Sequence, residues 1–288
     1  MPKRGTVETV PAHPHTHHVV SLLEQEPDLG AGLAAPEFEL AKSRALANVV
    51  ELRPPAWDTT DICAQSDAGW LGLFVLDGLL IRRVTVGRRS TCELLGPTDV
   101  FRPWDADADY APLPLSLDWI VVKRTRLAVL DSSFALRVAR WPQLTGRIVG
   151  RVAARARYQS LAQAVGHLPR ADARLLILFW LLAERWGTVG TDGVYVTLPL
   201  THEILAMLVG AHRPTVTIAL QRLNRAGFLI RERSDRWLLT HAGIDALENP
   251  ESVRLIVSDP GSGQDGESGL GDDDQSLGLL LATPPATS

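Results

Sequence analysis

Between Arg213 and Arg236 the chain gathers side chains suited to reading a polyanion and to little else. On a helix, Pro214, Ile218, Gln221 and Arg225 share one outward face, with Arg213 and Thr217 beside them. Guanidinium and carboxamide groups can hydrogen-bond base edges in a major groove, and an isoleucine can only touch a thymine methyl there. Arg222, Arg225, Arg231, Arg233 and Arg236 supply charge for backbone phosphates. No catalyst competes for the assignment: the sequence has no phosphate loop, no His-Glu-x-x-His helix, no serine elbow and no paired-cysteine zinc module. An enzyme is not expected, and no cofactor is implied. The leader holds His13, His15, His17 and His18, but so short a tract lacks groups to orient its imidazoles, and no metal site is expected there.

Something must hold these groups in place. Thr201 can cap a helix that Gly210 ends in left-handed conformation, with Ile204, Leu205 and Leu208 as its apolar stripe. A second helix starts at His212 or Arg213, tolerates Pro214 in its first turn, and buries Val216, Leu220 and Leu223 before Gly227. The spacing predicts a helix-turn-helix whose second helix presents the reading face. Strands Leu229 to Arg233 and Trp237 to Thr240, around a polar Ser234-Asp235 tip, read as a wing. The same elements could serve as a protein docking surface without nucleic acid, an alternative that stays open here.

The run LTHEILAMLVGAHRPTVTIALQRLNRAGFLI resembles the winged helix-turn-helix of the Crp/Fnr superfamily, the bacterial regulators related to the cyclic AMP receptor protein. That resemblance implies a homodimeric transcription regulator on double-stranded DNA, with RNA polymerase as a further partner. Arg213 matches the family arginine that can hold guanine O6 and N7 bidentately. Thr201, His212 and Thr215 match family positions that contact phosphate. Pro214 stands where the family commonly has glutamate and Ile218 where it commonly has arginine or serine, so the resemblance implies an operator of different sequence.

Upstream, short strands separated by turns run from about residue 50 to Leu130, with Asp77-Gly78 and Gly87 as hairpin signals, and predict an antiparallel barrel or sandwich. A short helix precedes them, with Leu40, Ala47 and Val50 on its apolar face. Beside a Crp-like head this order is similar to a cyclic-nucleotide-binding β-roll. The best local match, ELLGPTDVF, departs from that pattern. Arg102-Pro103 replaces Gly-Glu, no Arg or Lys occurs between Arg102 and Lys123, and Asp105, Asp107 and Asp109 fill the segment. A phosphodiester needs donors and a cation, so no cyclic AMP binding is expected, with Arg102 the one candidate effector ligand and the effector itself unknown.

The helix that follows repeats Leu144, Ile148, Val152 and Ala156 every fourth residue, a stripe that could pack on its own β-roll. With the family resemblance it is assigned as a dimer seam. Its arginines, Arg147, Arg151, Arg155 and Arg157, are expected on solvated faces. ADARLLILFWLLAERWG is apolar nearly all round and should be a buried spine.

The expected class is α+β: a disordered leader (1–32), a β-roll (33–140), a dimerisation helix (141–168), a winged helix-turn-helix (169–248) and a disordered acidic tail (249–288). A net charge of −4 conceals this division. Residues 122–241 carry 18 Lys and Arg against 7 Asp and Glu, whereas 242–288 carry 9 acidic residues and one arginine. Cys63 and Cys92 are too few for a disulfide framework. Without a long apolar run or a signal-like start, a cytoplasmic protein with no membrane association is expected.

Overall fold

In a computed structural model, which describes residues 18–106 and 115–248, the chain forms two antiparallel sheets bridged by helices. Strands β1 (His18–Ser21), β2 (Leu46–Leu52), β3 (Gly72–Val86), β4 (Arg89–Leu95), β5 (Val100–Phe101) and β6 (Leu115–Leu130) make the first sheet. Its order is β1-β2-β6-β3-β4, with β5 paired to β3. Helices α1 (Leu22–Gln25), α2 (Ala35–Arg44), α3 (Thr60–Gln65) and α4 (Ser132–Val138) decorate it. Then come α5 (Pro142–Gly166), α6 (Ala171–Trp186), β7 (Gly187–Val189), β8 (Gly193–Thr197), α7 (His202–Val209) and α8 (Arg213–Arg225). The chain closes with β9 (Leu229–Arg231), β10 (Arg236–Thr240) and α9 (His241–Glu248). The expected α+β architecture, a β-sheet domain followed by a long helix and a winged head, is present.

Several local expectations are corrected. The leader does not extend to residue 32: β1 pairs with β2, and Leu22, Leu23 and Leu29 are fully buried. Polar and proline content hid these leucines, which complete the core beneath α5. Ala47 and Val50 lie in β2 rather than on the preceding helix, because α2 ends at Arg44. Asp77-Gly78 makes no hairpin. β3 runs straight through it against β6, with the register shifts confined to this spot and Gly78 at φ +101. A Cβ there would strike Thr125, whose hydroxyl accepts the Leu79 N–H at 3.0 Å, so the glycine permits a bulge. The hairpin lies instead at Gly87, in left-handed conformation between β3 and β4. The His13, His15 and His17 tract, Asp107, Asp109 and the acidic tail lie outside the described residues.

The assigned dimer seam is also corrected. Leu144 and Ile148 are 0% and 1% exposed and, with Val152 packed beside them, face Phe74, Phe134 and Trp141 of their own chain; only Ala156 remains exposed. The arginines of α5 are not simply solvated. Arg147 donates to the Ala31 carbonyl, Arg151 pairs with Glu26 and Asp28, and Arg155 grips Glu93 through Nε at 2.6 Å and Nη2 at 3.1 Å.

The centre of the first sheet is apolar on both faces, for a reason that positions the head. Leu80, Leu95, Trp119 and Val121 point inward to a core with Phe101 and Trp70. Their alternates, Leu79, Ile81, Cys92, Leu94, Ile120 and Val122, point outward and pack with Leu175, Leu178 and Phe179 of the spine helix α6 in one cluster with α7 and α8. Each fully buried leucine or isoleucine contributes roughly 1.5–3 kcal/mol. At this boundary burial pushes the Cys92 thiol up to about 12, which leaves it protonated and unreactive.

A polar clasp completes the contact. In the turn between β4 and β5, the Asp99 carboxylate accepts the Gly96 N–H at 2.8 Å and Arg185 Nη2 at 2.6 Å. Arg185 lies over Tyr158 of α5 and over Trp186. The Trp186 ring lies flat enough against Gly96 that a Cβ there would be 2.6 Å away, and its indole N–H donates to the Pro97 carbonyl at 3.1 Å. Burial raises the Asp99 carboxyl above its ordinary value against the opposing pull of Arg185. Arg185→Ala should therefore destabilise the fold by about 3 kcal/mol in urea titrations at neutral pH, because it strands a buried charge. The loss should shrink as pH falls and the orphaned carboxyl protonates, since a neutral carboxyl no longer needs its cation.

Candidate nucleic-acid interface

Helix α7 begins as its sequence directs. Thr201 Oγ1 accepts the Ile204 N–H at 3.2 Å, and Gly210 ends the helix at φ +61, with the Ala211 N–H returning to the Ala206 carbonyl. Arg174 of α6 donates to the carbonyls of Val209 and Gly210 at 2.7 and 3.3 Å and so fixes the far end of α7. In α8, Arg213 and Pro214 occupy the first two positions after the N-cap His212. Val216, Ala219, Leu220 and Leu223 bury its inner stripe against α6 and α7. Gly227 closes it at φ +72, where the Phe228 N–H reaches the Leu223 carbonyl.

With that stripe buried, the opposite row faces solvent. Arg213, Pro214, Thr215, Ile218, Gln221, Arg222 and Arg225 are exposed, Ile218 by 51%. The first turn of α8 points its backbone N–H groups past the helix N-terminus, where an anion is favoured.

Thr217 departs from its expected role. Its hydroxyl donates to the Arg213 carbonyl at 3.1 Å and sits 2.9 Å from His202 Nδ1, so it ties α8 to α7 rather than facing outward to read bases. His202 had no distinguishing sequence signal beyond following the cap residue. It is half-buried, and burial, then the charges of Arg231 and Arg213, hold its pKa below the ordinary histidine value.

The wing extends further than its hairpin. β9 and β10 join β7 and β8 in a four-stranded sheet, which Trp237 seals from inside by packing 4.8 Å from Phe179. Arg231 lies over Trp237 and donates to the carbonyls of Arg233 and Ser234, shaping the tip. Arg236 pairs with Glu232 at 3.2 Å and lies over Tyr195. Arg233 is exposed at the tip, and Arg222 and Arg225 are exposed on α8. Arg102, the candidate effector ligand, is half-buried in the first domain with its guanidinium 5.5 Å from the Trp104 ring. Among the described residues no group of three metal-ligating side chains occurs, and no helix is long and apolar enough to cross a membrane.

Comparison with known proteins agrees with this geometry. Residues 173–249 match the family model of the Crp-like helix-turn-helix domain. Regulatory protein CysR of Synechococcus elongatus is 36% identical over 86 residues, covering 29% of this chain and 41% of that protein. The CRP-like cAMP-activated global transcriptional regulator of Mycobacterium tuberculosis is 30% identical over 153 residues, covering 51% of this chain and 65% of that protein. The chain thus spans less than two thirds of the length of these curated relatives. Among solved structures, a CooA mutant from Carboxydothermus hydrogenoformans shares the fold with TM-score 0.53 at 14% identity, over 83% of this chain and 96% of that one. FixK2 from Bradyrhizobium japonicum does so with TM-score 0.51 at 15% identity, over 74% and 98%. Residues 173–249 match the Crp-like helix-turn-helix domain, and the chain shares the overall fold of these two solved structures.

Proposed function

We propose that this chain is a sequence-specific DNA-binding transcription regulator that reads a pseudo-palindromic operator as a homodimer. The observation that carries the reading is the exposed row of α8, with Arg213 at its N-terminal end and the arginines of the wing beside it. Arg213 is the principal base reader, Ile218 offers a thymine methyl contact, and Gln221 can reach an adenine. Thr201, His212, Thr215, Arg222, Arg225 and Arg233 hold phosphates, while Arg231 and Arg236 act first by stiffening the wing.

A second copy would meet α5 on its exposed side, which keeps Ala156 of the seam expected from sequence but not the buried Leu144 and Ile148. Val149, Ala153, Ala156 and Ser160 follow one another at spacings of four, three and four on its exposed side, and Gly146 and Gly150 have open space beside them. Parallel pairing there would place two recognition helices in successive major grooves, roughly 34 Å apart. RNA polymerase would be the partner at a promoter, and the cytoplasm the place of action.

The Mycobacterium tuberculosis relative is described as cAMP-activated. For this chain we infer no cyclic AMP gating, because no Arg or Lys lies between Arg102 and Lys123 and Arg102 rests against Trp104. A thermal shift on adding cyclic AMP would overturn that inference.

In vitro selection of duplex DNA by the purified protein should enrich a two-fold-related motif, and Arg213→Ala should lose about 1–3 kcal/mol of discrimination at the base it reads. Failure to enrich any symmetric motif would refute the reading. Arg233→Ala should weaken all duplexes alike and flatten the log affinity against log salt slope by about one. In sedimentation, Ala153→Glu should give folded monomers, whereas Leu144→Asp should unfold the first domain, since Leu144 belongs to its core.

A further inference from the structure

His202 opens α7, and its imidazole meets Thr217 of α8. The Thr217 hydroxyl gives its single hydrogen to the Arg213 carbonyl, so toward His202 Nδ1, 2.9 Å away, it can only accept. Nδ1 therefore carries the hydrogen in the neutral ring, and Nε2 keeps its lone pair. The cations acting on that ring are Arg213 at the start of α8 and Arg231 at the end of β9, and with burial they hold it unprotonated. Of the other charges on the elements packed against α7, Arg174 of α6 caps its opposite end, Glu93 of β4 is bound by Arg82 and by Arg155 of α5, and Arg222 and Arg225 stand exposed in the C-terminal half of α8. On α7 itself Glu203 is the next residue and His202 the only other titratable side chain.

Arg231, although it also shapes the wing tip and lies over Trp237, adds with Arg213 a positive field at an imidazole with a free lone pair, and that field suits a tetrahedral anion. Resting on the DNA-reading function above, we propose that His202 and Arg231, beside the base-reading Arg213, form one backbone-phosphate site in which the imidazole takes up a proton as the duplex binds. The arriving phosphate reverses the field at the ring: a bare Nε2 would face its oxygens lone pair to lone pair, whereas Nε2–H donates a charge-assisted hydrogen bond. The proton comes from solvent, one for each head, and no other bond changes. Operator affinity is then linked to pH. The free ring is neutral above its lowered pKa and the bound ring is charged, so binding tightens as pH falls. The Thr217 contact survives protonation because Nδ1 donates in both states, and the recognition helix keeps its position.

The test uses the full-length chain and the duplex obtained by selection, followed by fluorescence anisotropy at fixed salt between about pH 8 and about pH 6.5. The wild type should gain affinity as pH falls, by at most tenfold per pH unit for each proton taken up. His202→Gln keeps a donor toward Thr217 and should flatten that slope. His212→Gln removes the neighbouring titratable group at the N-cap of α8 and should leave the slope in place. Thr217→Val keeps the imidazole and should weaken binding at every pH while retaining the slope. Calorimetry in two buffers of different protonation enthalpy should count the proton directly in the wild type and none in His202→Gln. Equal slopes for wild type and His202→Gln, with both binding the duplex, would overturn this site while leaving the DNA-reading function intact. A wild-type protein that binds no duplex at any pH would overturn both.

Discussion

Asp99 and Arg185 are the pair on which the arrangement of the chain turns. The arginine ends the spine helix of the winged head and the aspartate sits in a tight turn of the first sheet, and neither could be buried alone without several kcal/mol of desolvation cost. Around them, Trp186 packs against Gly96 and Tyr158 lies beneath the guanidinium, which leaves the pair mostly buried. The outer apolar residues of β3, β4 and β6 then have a partner in α6, α7 and α8 and need no solvent-facing polarity. Buried charge supplies orientation and apolar area supplies adhesion. The head is thereby held in one pose relative to the sheet by interactions with different dependence on salt and pH.

The head was legible because each of its signals is local. A capping threonine, a left-handed glycine, a proline in a first turn and a four-then-three apolar stripe each constrain a few neighbouring residues, and the structure honours all of them. Non-local relations were not legible in the same way. The stripe Leu144, Ile148, Val152 states that one side of α5 is buried but not what buries it, and the leucines that do so come from a stretch whose prolines and polar residues suggested a leader. Asp77-Gly78 carries the composition of a turn, yet the fifteen-residue strand passes through it because Thr125 on the partner strand accepts the neighbouring N–H. His202 has no periodic or compositional mark. Its role follows only from a hydroxyl fifteen residues later that has already committed its hydrogen.

The interior of the first domain is lined with aromatic rings. Trp57, Phe101 and Trp119 pack edge to face or tilted within about 6 Å of one another, Trp70 meets Trp104 in the same manner, and Arg102 lies against that second pair. The turn within ELLGPTDVF holds Asp99 for Arg185.

Pro214 carries a consequence of its own. At the second position of α8 it leaves the backbone donors of Arg213 and Thr215 separated by a residue with no N–H, while the Val216 N–H is already bound to the His212 carbonyl. A recognition helix usually seats its end on a phosphate through a continuous fan of such donors. This one has a gap in the fan, so its depth and tilt in a groove would depend on long side chains that can change rotamer. Such a head would accommodate variation in groove width and favour operators defined by a few strongly read positions over those defined by uniform contact.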